Sequence, residues 1–154
     1  MKMKLKQLLA VTMITASLTA MAPSTFAATG VGDSQNEAIA LIPGEFPELH
    51  LSSHDDVDWY KWTNTTGKNH LMNVSLMNHN AYSTVEYRFG VVIKYADGRQ
   101  TNKQYAPPVD SQGRSKAVTN LQVPNGATVY FVVESEQFDA GVYYIPFSVT
   151  PVAK

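Results

Sequence analysis

Nine consecutive residues, Asp55-Asp56-Val57-Asp58-Trp59-Tyr60-Lys61-Trp62-Thr63, hold three carboxylates, two indoles and a phenol. Clustered hard oxygen donors at the entrance to a strand suit calcium. The same carboxylates also suit a solvated turn, with Asp56 accepting hydrogen bonds from nearby backbone N–H groups. Read with a period of two, Asp58, Tyr60 and Trp62 share one face, while Val57, Trp59, Lys61 and Thr63 share the other. Tyr60 and Trp62 then face a core, where the phenol and the indole N–H need partners. Trp59 lies on the face that carries Lys61. It either offers an exposed ring for binding or packs beneath a loop.

Other reactive arrangements find little support. The histidines are His50, His54, His70 and His79, and none stands in a His-Glu-x-x-His helix. His54 neighbours Ser52, Ser53 and Asp55, but a triad is a spatial arrangement that sequence neighbours do not usually make. A Gly-x-Ser-x-Gly elbow and a Gly-rich phosphate loop are both absent. Glu86, Glu134 and Glu136 are the glutamates near expected strands, and Glu86 reads as solvent-facing, so no glycosidase pair stands out. The chain has no cysteine, which excludes thiolate catalysis and cysteine-based zinc sites. His70 and His79 flank the strand around Met72 and read as loop polars. Asn64-Thr65-Thr66 and Asn73-Val74-Ser75 match the glycosylation acceptor pattern. No enzyme activity is expected.

The elements that must hold the central stretch follow from patterning. Lys2, Lys4 and Lys6 precede an uncharged apolar run from Leu8 to Met21, and Ser24-Thr25-Phe26-Ala27 supplies small residues for cleavage. Residues 1–27 therefore read as a secretory signal, and no cysteine follows to carry a lipid anchor. Residues 28–154 form one expected domain, exported and without a membrane anchor. Removing the leader leaves nine basic against thirteen acidic residues, a net charge of −4. That balance disfavours nucleic acid and anionic membrane surfaces as partners.

Ser34 and Glu37 have capping-box spacing for one short helical turn ended by Pro43-Gly44. Strand patterns follow at Leu49–Leu51, through the central stretch, and at Met72, Val74 and Leu76. The clearest alternation places Val85, Tyr87, Phe89, Val91, Ile93 and Tyr95 on one face. Gly90 within it suggests a bulge or bend. Asp97-Gly98 predicts a hairpin returning over Arg99 to Tyr105. Val118, Leu121 and Val123 alternate poorly. Val129, Phe131 and Val133, with Tyr130 and Val132 between them, read as a central strand apolar on both sides. Tyr143, Ile145, Phe147 and Val149 close the core, and Pro146 marks an edge or bulge. The expected fold is all-β, an antiparallel, jelly-roll-like β-sandwich of about eight strands.

The run Asp33-Ser34-Gln35-Asn36-Glu37-Ala38-Ile39, followed by Ile42-Pro43-Gly44, Leu49-His50-Leu51 and Asp56-Val57-Asp58-Trp59-Tyr60-Lys61-Trp62, resembles the bacterial pre-peptidase C-terminal domain. That family is similar to the collagen-binding domain of clostridial collagenases. The resemblance runs from Asp33 to Leu76 and more loosely to Gly141-Val142-Tyr143-Tyr144, which looks like the family's closing Gly-x-Tyr strand. Calcium-binding members carry a Glu-x-Asn-Asp type run where this chain reads Gly30-Val31-Gly32-Asp33. The resemblance thus implies a depleted calcium site resting on Asp33, Asp55 and Asp58. No other cofactor is expected.

The resemblance also implies a secreted, non-catalytic binding or accessory domain whose partner is an extracellular protein or polysaccharide. Exposed aromatics anchor such surfaces, and the candidates are Trp59, Tyr82, Tyr105 and Tyr130. Two alternatives stand beside this reading. One is a modulator or inhibitor of a secreted protease, because members of the family sit beside secreted proteases. The other is a structural protein of an extracellular matrix.

Overall fold

A computed structural model describes residues 32–78, 86–137 and 141–153. Residues 1–27, expected to be a leader, and His79, Tyr82 and Val85 lie outside the described residues. Two β-sheets face each other. The first has five strands in the order β1-β2-β7-β4-β5: β1 (Ile39–Ala40), β2 (Val57–Thr63), β4 (Glu86–Lys94), β5 (Gln104–Tyr105) and β7 (Thr128–Gln137). The second has β3 (His70–Asn78) at its centre, β6 (Ser115–Val123) on one side, and β8 (Tyr143–Tyr144) and β9 (Phe147–Pro151) end to end on the other. All pairings are antiparallel except β1 with β2. The all-β sandwich is therefore as expected, with nine strands among the described residues.

The inward rows follow the alternation of the sequence. Tyr60, Met72, Leu76, Phe89, Phe131 and Tyr143 are fully buried. Phe89 stacks on Phe131 at 5.8 Å, and Phe147 tilts against Phe131 at 6.0 Å. Each such buried ring contributes about 2–3 kcal/mol relative to exposure. Strand β7 lies between β2 and β4, as its two-sided apolar character predicts.

Two local features, at Asn120 and at Pro146, depart from simple alternation, and Gly90 does not. Asn120 adopts φ 56°, and the β3–β6 register shifts between Met72 and Val74. That bulge is why Val118 and Leu121 both turn inward although they are three positions apart. Gly90 stays in regular register, opposite Val132 and Tyr105, rather than at a bulge. A Cβ there would lie 2.5 Å from a Val132 methyl and 2.9 Å from Cδ of Lys103, so close approach excludes a side chain. At Pro146 the outer strand breaks into β8 and β9, as expected for an edge.

The return of the Asp97-Gly98 hairpin is ladder only at Gln104–Tyr105, with an isolated bridge at Gln100. Leu49 contributes a single bridge, to Tyr143. The Ser34 hydroxyl bonds the Glu37 carboxylate at 2.8 Å, and the segment forms a 3-10 turn over Gln35–Glu37. His70 opens β3 as a buried residue, with Trp62 edge-on at 6.2 Å, and is not a loop polar. Asn64 is fully buried. Its amide donates to the carbonyls of Lys68 and Val123 and its Oδ1 accepts from Thr66, so it braces a turn and cannot meet a glycosylating enzyme.

The outward side of the second sheet presents Leu71, Asn73, Ser75 and Met77 from β3, and their register partners Gln122, Ala117 and Ser115 from β6. From the other side come Tyr144, Ser148 and Thr150.

Candidate functional site: a carboxylate cluster and an aromatic row

The start of β2 gathers carboxylates. Oxygens of Asp33, Asp56 and Asp58 lie within 4.8 Å of one another. Two of the three expected ligands, Asp33 and Asp58, are thus together, and the third member is Asp56. Asp55 points away. Its side chain is 99% exposed and pairs with His54 at 3.1 Å. The cause is the turn ahead of β2, in which the Asp56 N–H bonds the Ser53 carbonyl and Oδ2 of Asp56 accepts from the Ser52 N–H at 2.6 Å. That turn faces Asp56 inward and leaves Asp55 outside. It also separates His54 and Asp55 from any buried setting, so they cannot serve as the oriented half of a triad.

Asp58 is only 6% exposed. Its Oδ2 accepts from the Tyr143 phenol at 2.6 Å and from the Tyr60 phenol at 3.1 Å, and the two phenols lie 2.8 Å apart. Burial pushes its carboxyl up to about 6. The Tyr143 hydrogen bond opposes this, and the negative charges of Asp56 and Asp33 add to it. Burial, together with the nearby carboxylate, also raises both phenols. Three carboxylates with oxygens this close are hard donors of the kind that calcium takes. Asp33, Asp56 and Asp58 would hold it, and it would supply the missing positive charge.

The second feature is the outer face of the five-stranded sheet. Trp59, Val132, Gly90 and Tyr105 stand in one register row across β2, β7, β4 and β5. The end residues are about 14 Å apart at the usual strand spacing. Tyr130 lies beside Trp59, edge to face at 6.5 Å. Trp59 and Tyr130 are half-buried, and Tyr105 is 40% exposed. Three of the four candidate aromatics therefore share one face. The Arg88 guanidinium lies 3.8 Å above the Tyr105 ring, and the Tyr105 phenol donates to Glu134 at 2.7 Å. Lys103 donates to the other Glu134 oxygen. Burial works to raise the Glu134 carboxyl, but the Lys103 and Tyr105 hydrogen bonds outweigh it and hold it below its ordinary value. Sequence reading did not connect Lys103, Glu134 and Arg88 with Tyr105, because only sheet order brings β4, β5 and β7 together.

No protein-family model matches the sequence, and no curated protein matches it. The fold is similar to a solved pre-peptidase C-terminal domain of collagenase from Bacillus anthracis, with a TM-score of 0.52 and 17% identity, over 73% of this chain and 95% of that chain. No helix among the described residues is long and apolar enough to cross a membrane. The described chain is an all-β sandwich with the fold of a pre-peptidase C-terminal domain.

Proposed function

We propose that this is a secreted, non-catalytic binding module that holds an extended extracellular polymer, protein or polysaccharide, across the Trp59–Tyr105 row. The observation that carries this reading is the convergence of Trp59, Tyr130 and Tyr105 on one sheet face. Aromatic rings pre-positioned by a rigid sheet give contact area at small entropic cost. The likeness to an accessory domain of a collagenase supports the same reading. In it, the cluster of Asp33, Asp56 and Asp58 holds calcium and ties the segment before β1 to the start of β2.

The test is retention on collagen, cell wall and insoluble polysaccharide, comparing the unmodified protein with Trp59→Ala and Tyr105→Ala. Loss of an anchoring ring should weaken binding about 10-fold or more. Folded variants retained as well as the parent on every support would remove the row from the site.

The same likeness favours a second reading, in which the partner is a secreted protease whose turnover the domain modulates. Protease activity unchanged at molar excess of the domain would count against it.

A further inference from the structure

The two outer faces of the sandwich differ in charge. The five-stranded sheet presents Lys61, Arg88, Lys94 and Glu134 on the same side as its aromatic row. On the four-stranded sheet, none of the outward residues given above is charged. A solvent-facing sheet ordinarily carries charges that keep copies apart. Carboxylates stand at its rim: Glu48 accepts the Tyr144 phenol at 2.9 Å, and Asp110 accepts the Ser115 N–H at 2.6 Å. An uncharged centre with a polar rim is the anatomy of an interface.

The face also carries a knob and a hole. A groove of about 380 Å³ runs between Phe46, Asn73, Ser75, Ala117 and Pro146. Phe46 forms its wall and is 60% exposed, and Met77 on the same face is 47% exposed. A projecting ring beside a groove on one surface is self-complementary under a two-fold rotation, which places each ring at the other copy's groove.

We propose that the outer face of the four-stranded sheet is a self-association surface, where a second copy of this chain docks about a two-fold axis with each Phe46 entering the partner's groove. Three strands by nine residues give about 400 Å² in projection, and more in accessible surface once the pleat and the loop are counted. That lies at the low end of specific interfaces, so the dimer is weak and reversible. Because each copy bears the same net charge, an uncharged contact face is what lets two copies meet without like-charge repulsion.

Sedimentation velocity on the purified protein from about 5 to about 500 µM tests this, since a weak interface populates its dimer only in the upper part of that range. Phe46→Glu should raise the dimer dissociation constant about 30-fold. Ala117→Arg, which fills the groove floor, should do the same, while Lys61→Glu on the opposite face should leave it unchanged. Circular dichroism confirms that each variant keeps the fold. Retention on polymer should survive Phe46→Glu, which separates this surface from the aromatic row. A protein that stays monomeric at the highest concentration overturns the proposal. So does a dimer that persists in both groove variants, or one that responds to Lys61→Glu instead.

Discussion

The Tyr143 phenol donates a 2.6 Å hydrogen bond to the Asp58 carboxylate across 85 residues of sequence. It joins β2 of one sheet to β8 of the other inside the core. Asp58 also accepts from Tyr60, so a single carboxylate oxygen collects two phenols. Tyr143→Phe keeps the ring that packs against Tyr87 at 5.0 Å and removes only the donor. A buried acceptor deprived of one partner costs about 1–3 kcal/mol. Urea unfolding of the variant should show that loss in the midpoint with the slope unchanged. A variant as stable as the parent would mean that the phenol pair contributes nothing net.

Stability should fall as pH rises through the range in which Asp58 ionises. Its carboxyl is held at about 6 in the folded state, against 3.8 as the ordinary value. Between these values the folded state binds more protons than the unfolded one, so the slope of unfolding free energy with pH is negative. The contribution from this group is complete below about 4 and lost above about 6, on the order of 3 kcal/mol in chelator. Asp58→Asn mimics the protonated form. The variant should therefore gain on the parent between pH 4 and pH 7 when both are measured without divalent cations. Parallel pH profiles for the two proteins would contradict the assignment.

Calcium should reverse that trend. The charges of Asp33 and Asp56 both raise the Asp58 carboxyl, and a bound cation would remove the repulsion. Thermal melts in calcium against chelator should separate at pH 7 and converge near pH 5, because binding to the native state raises its stability and needs the ionised ligand. Asp33→Asn and Asp56→Asn should abolish the separation, and Asp55→Asn should leave it intact. Identical melts in calcium and chelator at pH 7 would retire the site. Loss of the separation in Asp55→Asn would restore the ligand set read from the resemblance.

Much of the scaffold could be read from the chain because alternation maps directly onto the two faces of a strand. Tyr87, Phe89, Val91 and Ile93 are all buried, as their spacing predicts, and so are Asp58 and Tyr60. The reading fails where parity is broken locally. Val118 and Leu121 share the inward side only because Asn120 takes a left-handed conformation, which adds one residue to β6. The ligand set is a different case: the resemblance implies Asp55, whereas Asp56 has the parity of Asp58 and Tyr60 and lies beside Asp58, and the turn ahead of β2 leaves Asp55 in solvent. The grouping of Trp59 with Tyr105 could not be read at all. It depends on strand order β2-β7-β4-β5, and no local pattern encodes which strands become neighbours.

Gly90 links the fold to the binding row. It stands between Val132 and Tyr105 in the register, and the Lys103 stem passes close above it on the way to Glu134. A methyl group there would meet Val132, which is fully buried and held by its strand, and the Lys103 stem, which can move. Gly90→Ala should therefore cost about 1–3 kcal/mol by overpacking. It should also displace Lys103 from Glu134, freeing the carboxylate that the Tyr105 phenol shares with it. Two readouts separate these effects. Thermal melting reports the overpacking, and retention on the polymer reports the disturbance of Tyr105. If Lys103→Met, which removes the ammonium but keeps the stem, reproduces the binding change without the stability loss, the Lys103–Glu134 contact positions Tyr105. If Lys103→Met binds as the parent does, the Arg88 guanidinium, the Glu134 carboxylate and the sheet hold Tyr105 without Lys103.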